Sequence, residues 1–337
     1  MTATTNPGTF ITARLMAKRL VAEGVYEFSF HSEAGRVHPP AAPGAHITVL
    51  TPSGERRSYS LIGGPQARGG NFVIAVALAP ASRGGSVSMH TSTEVGMFMQ
   101  ISPPVDAFPL RPASQYLLIA GGIGITAMRS MFYAIQARGD ASVTLVYLVR
   151  SRSEAPYMQE LLAAADGMAH VFVHATDEHA GERFDLWSVL KEPSAGRVYC
   201  CASPTVIEAV RSLTAHWRAS RVHFEDFAGV DPLGGDASPF TAVWEPTGQV
   251  IHVPADSSLH DALTTAGISV PVSCRAGTCG TCRVRIVSGD ADHRDVILDD
   301  AQRETQLTSC VSRGHSTITI APYADNNTGF PSTEQLT

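Results

Sequence analysis

The sequence predicts a multidomain chain: a small antiparallel β-barrel, then an α/β domain on a parallel sheet, then a small α+β domain rich in cysteine. Three observations predict it. Residues 10–77 read as short strands punctuated by Gly, Pro and Ser, as a small antiparallel barrel requires. From Gln115 onward, continuous apolar runs alternate with helical stretches, which implies parallel strands covered by helices. Residues 228–239, GVDPLGGDASPF, have the composition of a linker, and a different pattern follows them. A length of 337 residues suits two or three such domains.

The barrel strands are expected at Phe10–Leu15, Val25–His31, His46–Leu50, Arg57–Leu61 and Asn71–Ala77. In the second domain QYLLIA is a buried strand, GGIGITAM opens a helix that runs to Ala137, and SVTLVYLV is a second buried strand. A helix over Ala155–Ala165 and strands at HVFVHA and RVYCCA continue the alternation. After the linker, TAVWEPTGQVIHV reads as a hairpin around Thr247–Gly248. PADSSLHDALTTAG reads as a helix capped by Asp256 or Ser257 and ended by Gly267. The boundaries that follow are 1–111, 112–227, 228–239 for the linker, 240–323, and a tail over 324–337.

Charge and patterning exclude several roles. The net charge of −6 speaks against general nucleic-acid binding. The best apolar run, Tyr116–Met128, is too short to cross a bilayer and is broken by three glycines. The N-terminus has no basic segment followed by an apolar one, so no secretory signal is visible. Six cysteines are too few for a disulfide scaffold in a chain of this length, and reduced thiols suit the cytoplasm.

Four of those cysteines carry the sharpest signal. Cys274, Cys279 and Cys282 read C-x4-C-x2-C, and Cys310 follows after residues 283–309. This is the plant-type spacing of a [2Fe–2S] cluster held by four thiolates. Three ligands come from one tight loop, and the fourth is returned by a distant part of the fold. Gly277 and Gly280, between the ligands, allow the positive φ that such a loop needs. A C-x2-C pair alone would favour zinc or a redox dithiol, but the x4 spacing and the remote fourth cysteine favour iron–sulfur.

Three weaker motifs lie upstream. Gly122-x-Gly124-x-x-Ala127 follows a strand and opens a helix, where free N–H groups favour phosphate or polar contacts. The alternative is that these glycines serve only close strand–helix packing. The acid that usually binds a ribose about twenty residues on is absent; Arg150-Ser151-Arg152 ends the second strand instead. Arg57-Ser58-Tyr59-Ser60 alternates along a strand, so Arg57 and Tyr59 share one face, which suits a phosphorylated planar ligand or an ordinary exposed strand. Arg83-Gly84-Gly85-Ser86 offers a turn with exposed N–H groups, or a plain surface turn. Cys200 and Cys201 also read as small buried hydrophobes at a strand end, His170, His174 and His179 as structural, and His293 as part of a solvated turn or a residue facing a partner.

Taken in order, R-x-Y-S, R-G-G-S, GGIGIT, YCCAS and the ferredoxin cysteines resemble the phthalate dioxygenase reductase family, over about residues 10–322. The resemblance implies an FMN-binding barrel, an NADH-binding α/β domain and a C-terminal β-grasp ferredoxin domain, feeding electrons to a Rieske-type oxygenase. It implies that Arg57, Tyr59 and Ser60 bind flavin and its phosphate, that Ala75 and Val76 line the isoalloxazine edge, and that Gly85, Ser86 and Val87 hold the phosphate. Gly122, Gly124 and Thr126 would flank the nicotinamide, Cys201 would sit near the hydride-transfer site, and Phe224 would cap the flavin. Cys274, Cys279, Cys282 and Cys310 would ligate iron. Two positions depart from the family: Ala202-Ser203 replaces Gly-Pro after the cysteine pair, and Leu78-Ala79 replaces Arg-Glu before Pro80. A non-Rieske acceptor, or a non-catalytic redox carrier or sensor, are the alternative functions.

Overall fold

The computed structural model describes residues 10–32, 41–63, 71–79, 84–106, 108–193, 195–227, 237–272, 277, 280–295 and 297–323. The chain forms two compact units, Met1–Ala228 and Gly229–Thr337.

The first unit begins with a six-stranded antiparallel sheet: β1 (Ile11–Ala22), β2 (Val25–Ser32), β3 (His46–Leu50), β4 (Arg56–Ser60), β5 (Asn71–Ala77) and β6 (Phe98–Ile101). The spatial order is β4-β3-β6-β1-β2-β5, and a bridge between Leu61 and Ile74 joins the two edge strands and closes the sheet on itself. Alternation drives the closure: Leu15, Phe28, Phe30, Ile47, Ile74 and Ile101 all point into one dry core. Helix α1 (Gly85–Thr91) plugs the barrel with Met89. Two features differ from the sequence expectation. β1 runs on to Ala22, past a register shift between Leu15 and Ala17 that re-aims its second half. β6 was not expected; it is a four-residue strand with Phe98 exposed, so its hydrophobic alternation is weak.

A five-stranded parallel sheet follows: β7 (Gln115–Gly121), β8 (Ser142–Val149), β9 (Ala169–Ala175), β10 (Arg197–Cys201) and β11 (Val222–Glu225), in the order β11-β10-β7-β8-β9. Helix α2 (Ile125–Arg138) covers one face and ends where Gly139 takes φ +66°. Helix α3 (Met158–Ala163) lies on the same side; α4 (Trp187–Leu190) and α5 (Pro204–Leu213) cover the other. Pro204 occupies the first turn of α5, where its missing N–H costs nothing. The expected helix over Ala155–Ala165 is shorter because Tyr157 takes a left-handed conformation, φ +63°, just before it. The chain winds from β7 to β8 to β9, then returns to place β10 on the other side of β7. The strand order therefore reverses between β7 and β10, and ligands of open α/β sheets bind outside the carboxyl ends of the strands at such a point.

The second unit is a mixed sheet of β12 (Phe240–Trp244), β13 (Gln249–Val253), β14 (Arg283–Ser288), β16 (Gln306–Thr308) and β18 (Thr317–Pro322), ordered β13-β12-β18-β14-β16. β12 and β18 run parallel, and the other pairs antiparallel. Helix α6 (Leu259–Thr265) packs Leu259 and Leu263 on Val253, Val284 and Ile320. This helix-on-sheet layout is the expected α+β arrangement. The cap of α6 is a correction: Ser258, not Asp256 or Ser257, accepts from Asp261 N at 3.1 Å. Gly267 follows the helix with φ +81°, as expected. A two-stranded ribbon, β15 (Ala291–Asp292) with β17 (Arg313–Gly314), and the short helix α7 (Asp300–Arg303) complete the unit. Among the described residues no helix is long and apolar enough to cross a membrane.

Candidate functional site

The reversal point of the parallel sheet collects the predicted nicotinamide residues. Gly122–Gly124 forms a single 3-10 turn directly after β7, and Cys201 ends β10 beside it. The glycines divide the work. A Cβ on Gly124 would lie 2.0 Å from the Cys201 carbonyl oxygen, so that glycine is required for packing. A Cβ on Gly121 would lie 2.6 Å from the Ala202 Cβ, so the bare Gly121 accommodates the alanine at that departure from the family pattern. Gly122 takes φ +52°, and a Cβ there would meet nothing within 4 Å among the described residues. It is the open position of the turn, where the backbone is accessible to a ligand. Thr126 is buried and donates its hydroxyl to Ile123 O at 2.9 Å, which holds the turn against the start of α2.

The turn meets the barrel through one side chain. Ile123 packs with Ala75 and Ile62, the first on β5 and the second just beyond β4. Of the two expected flavin-edge residues, Ala75 faces this seam, whereas Val76 points into the barrel core and its carbonyl accepts from His90 Nε2 at 2.8 Å. Further bonds cross the same seam: Tyr157 Oη to Glu27 Oε2 at 2.9 Å, Ser153 Oγ to Glu23 Oε2 at 2.9 Å, Gly44 N to Ser130 Oγ at 3.0 Å, and Arg129 to the Gly63 carbonyl. The Arg129 guanidinium lies over both Tyr133 and Tyr157, with its carbon 5.0 and 4.9 Å from their ring centres.

The barrel motifs also converge. A Cβ on Gly85 would lie 2.9 Å from Arg57 Cγ, so the R-x-Y-S strand and the R-G-G-S turn touch through that glycine. Arg83 itself lies outside the described residues. Gly84, at φ +91°, precedes α1, whose first N–H groups have no partner within the helix. Arg57 therefore stands beside a set of N–H donors, a pairing that suits a phosphate. The Ser86 hydroxyl accepts from Ala79 N at 3.1 Å, and the Val87 carbonyl accepts from Thr91 Oγ1 at 3.0 Å. Ser60 Oγ is buried with no hydrogen-bond partner among the described residues, an orphaned group that a bound polar ligand would satisfy. Burial pushes the Tyr59 phenol up to about 12, against the pull of Arg57, so it remains a neutral donor.

Cys201 is fully buried, and burial, then Glu225, hold its thiol well above the ordinary range. It is a packing surface against Gly124. Cys200 faces the opposite side of the sheet, among Val198 and Ile207, and burial raises it to about 12. Phe224 packs in that same cluster, and the Arg211 guanidinium sits 4.3 Å from its ring centre. Its ring thus already has a partner in the domain. The aromatic exposed just after β11 is Phe227, which sequence reading passed over although it is the second aromatic of HFEDF.

In the second unit Cys282 and Cys310 are buried, with their sulfurs 3.1 Å apart. Cys274 and Cys279 lie outside the described residues. The two glycines behave as the loop requires: Gly277 has φ +70° and Gly280 φ +68°. A Cβ on Gly277 would meet Val311 at 2.7 Å, and one on Gly280 would meet Ile297 at 2.4 Å. Both glycines are thus needed for conformation and for space, in the loop that precedes Cys282. Two apposed sulfurs beside a glycine-lined loop fit a thiolate-held cluster. His293 differs from the solvated turn expected of it: its ring is largely buried, with Nδ1 3.8 Å from the buried Asp295 carboxylate.

Comparison with known proteins agrees with this geometry. Residues 242–313 match the 2Fe-2S iron-sulfur cluster binding domain family. The phthalate dioxygenase reductase of Burkholderia cepacia is 37% identical over 309 residues, which cover 91% of this chain and 95% of that protein. The chain belongs to the phthalate dioxygenase reductase family. A second relative, the vanillate O-demethylase oxidoreductase of Pseudomonas sp. (strain HR199 / DSM 7063), is 37% identical over 91% of this chain and 98% of its own length. A solved phthalate dioxygenase reductase, described as a modular structure for electron transfer from pyridine nucleotides to [2Fe–2S], superposes with a TM-score of 0.73 at 35% identity. It covers 94% of this chain and 100% of its own. As a phthalate dioxygenase reductase family member the chain is an oxidoreductase and a flavoprotein with a [2Fe–2S] domain.

Proposed function

We propose that the chain is the reductase component of a Rieske-type oxygenase system, working in the cytoplasm and carrying electrons from NADH through FMN and a [2Fe–2S] cluster to the oxygenase. The observation that carries this reading is the seam contact of Ile123 with Ala75 and Ile62. It sets the glycine turn of the nucleotide sheet directly on the proposed flavin edge of the barrel. FMN, when bound, accepts a two-electron hydride and releases electrons singly to an iron–sulfur acceptor.

The chain's own residues bind and orient. Arg57, with the N–H groups after Gly84, holds the phosphate, and the neutral Tyr59 and the orphaned Ser60 hydroxyl supply polar contacts to the flavin. Gly122 leaves its backbone open to the nicotinamide, while Gly124 and Thr126 fix the turn that presents it. The raised Cys201 thiol stays protonated and takes no part as a base. Ring contacts to a bound flavin would come from Tyr59 and from an aromatic at the end of β11: the exposed Phe227, or Phe224 once it leaves Arg211. Cys274, Cys279, Cys282 and Cys310 hold the cluster.

Two measurements test the proposal. Denaturing the pure protein and chromatographing the released flavin is expected to yield FMN; FAD, or no flavin, overturns the cofactor. Anaerobic mixing with NADH and a purified Rieske oxygenase is expected to bleach the oxygenase's Rieske absorbance. Bleaching of the reductase flavin with no transfer to any Rieske protein, but transfer to a cytochrome, would favour the other acceptor class.

A further inference from the structure

The carboxyl ends of β7, β8 and β9 stand side by side. Register pairs Gly121 with Leu148 and Val149 with Ala175, so three connections leave the sheet at the same level. The first is the Gly122–Gly124 turn. The second is Arg150-Ser151-Arg152, and the third is the 3-10 turn Thr176–His179. The second and third are laced together: Asp177 N donates to Arg150 O at 3.1 Å, and Thr176 Oγ1 to the same oxygen at 3.3 Å. In a dinucleotide-binding sheet the adenosine ribose lies at the end of the second strand, where an acid selects the free 2′-hydroxyl and an Arg admits a 2′-phosphate.

Both kinds of residue are present here, and they are paired with each other. Arg152 Nε donates to Glu178 Oε1 at 2.7 Å, with both side chains nearly half exposed. The same guanidinium donates from Nη1 to the Met158 sulfur at 3.6 Å. The Glu178 bond, then its charge, and further the Asp177 charge hold Arg152 above its ordinary pKa. An exposed pair of this kind contributes little to folding. Its position therefore calls for another account.

We propose that Glu178 is the residue that selects between the two nicotinamide coenzymes. Its carboxylate takes the Nε of Arg152, on the guanidinium that the 2′-phosphate of NADPH would otherwise engage. A phosphate approaching Arg152 must displace Glu178 and then sit beside its charge and that of Asp177. A ribose with a free 2′-hydroxyl can instead donate to the Glu178 carboxylate without displacing it. This inference rests on the reading of the sheet as the coenzyme domain.

Binding of 2′,5′-ADP and 5′-ADP to the full-length protein, measured by isothermal titration calorimetry, tests it without turnover. Glu178→Gln is expected to tighten 2′,5′-ADP about ten-fold, the size of one charge-assisted contact to phosphate. The gain is expected to shrink as salt is added, and to vanish in Glu178→Gln combined with Arg152→Ala. Unchanged 2′,5′-ADP affinity in Glu178→Gln overturns the proposal. So does a gain that survives loss of Arg152, or one that arises from Asp177→Ala and not from Glu178→Gln. A folded wild-type protein that binds neither nucleotide nor NADH overturns instead the coenzyme reading beneath it.

Discussion

The Tyr157 hydroxyl donates to the Glu27 carboxylate at 2.9 Å, tying the start of α3 to strand β2 of the barrel. Tyr157 reaches this position with a backbone φ of +63°, a conformation that costs a non-glycine residue about 1–2 kcal/mol. The surroundings hold it there: Arg129 lies over its ring, and the ring packs beside Val25, Ile62 and Ala75. The strain sits at the seam where the glycine turn meets the barrel, as stored strain often does at working sites.

Tyr157→Phe keeps the ring and removes the bond. Glu27 retains Arg19 at 2.9 Å, so the carboxylate is not stranded. Expected is a loss of about 1–2 kcal/mol in urea unfolding of the first unit, with the second unit's transition unmoved. Hydride transfer from NADH, followed by flavin bleaching in stopped flow, should slow more than NADH affinity weakens. An equal loss in both units would show that the substitution acts through general damage and not through the seam.

The two glycines of the turn are expected to fail differently. Gly124→Ala places a Cβ 2.0 Å from a backbone oxygen of β10, which cannot retreat without moving the sheet. Overpacking of this kind costs about 3 kcal/mol or more. Gly122→Ala meets no atom of the described residues within 4 Å and bears only its positive φ, a cost of about 1 kcal/mol. Urea midpoints of the two variants give the order directly. Equal midpoints would mean that the turn is displaced freely and that Gly124 is not held by Cys201.

Much of this was readable in sequence because the strands carry their burial in their pattern. QYLLIA and SVTLVYLV are buried on both faces, and the barrel strands alternate. β6 was not legible, because FMQI is short and exposes Phe98. PADSSL offers several polar residues in a row, and only backbone geometry selects Ser258 as the cap. The seam was invisible for a different reason: Tyr157 and Glu27 are 130 residues apart, and Arg129 and Gly63 are 66 apart. No local pattern announces such pairs. The site glycines were legible as glycines, but not their division into packing and open positions, which depends on what stands opposite each absent Cβ.

His223 gives the first unit a pH dependence. Its ring stacks on Tyr199 with centroids 4.6 Å apart, and Nε2 lies 3.2 Å from Arg197 Nη1. Burial, then Arg197 and Arg111, lower its pKa from 6.5 to about 4. The unfolded chain therefore binds this proton at a higher pH than the folded chain does. Between those values the unfolded state holds more protons, so stability is full above about 6.5 and is lost as pH falls toward about 4. The ring is partly exposed, so the expected loss is about 1–2 kcal/mol, less than the full shift implies. His223→Gln should flatten this part of the curve when urea unfolding is compared at several pH values. An unchanged slope would assign the acid sensitivity to the carboxylates.

Cys282→Ser separates the two units. Cys282 is buried with its sulfur 3.1 Å from that of Cys310, and the unit boundary falls well before it, at Ala228–Gly229. A serine hydroxyl is a poor substitute for a thiolate ligand, and ligand loss withdraws the metal's contribution to folding in the second unit. The first unit keeps its barrel, its parallel sheet and the seam between them, none of which involves residue 282. Expected are loss of iron and of the cluster's visible absorbance, loss of electron transfer to an external one-electron acceptor, and NADH bleaching of the flavin that persists. Urea unfolding should show the first unit's transition at its wild-type midpoint. If flavin bleaching disappears while that transition stays in place, electrons do not enter at the flavin as proposed. If the transition moves as well, the two units are not independent.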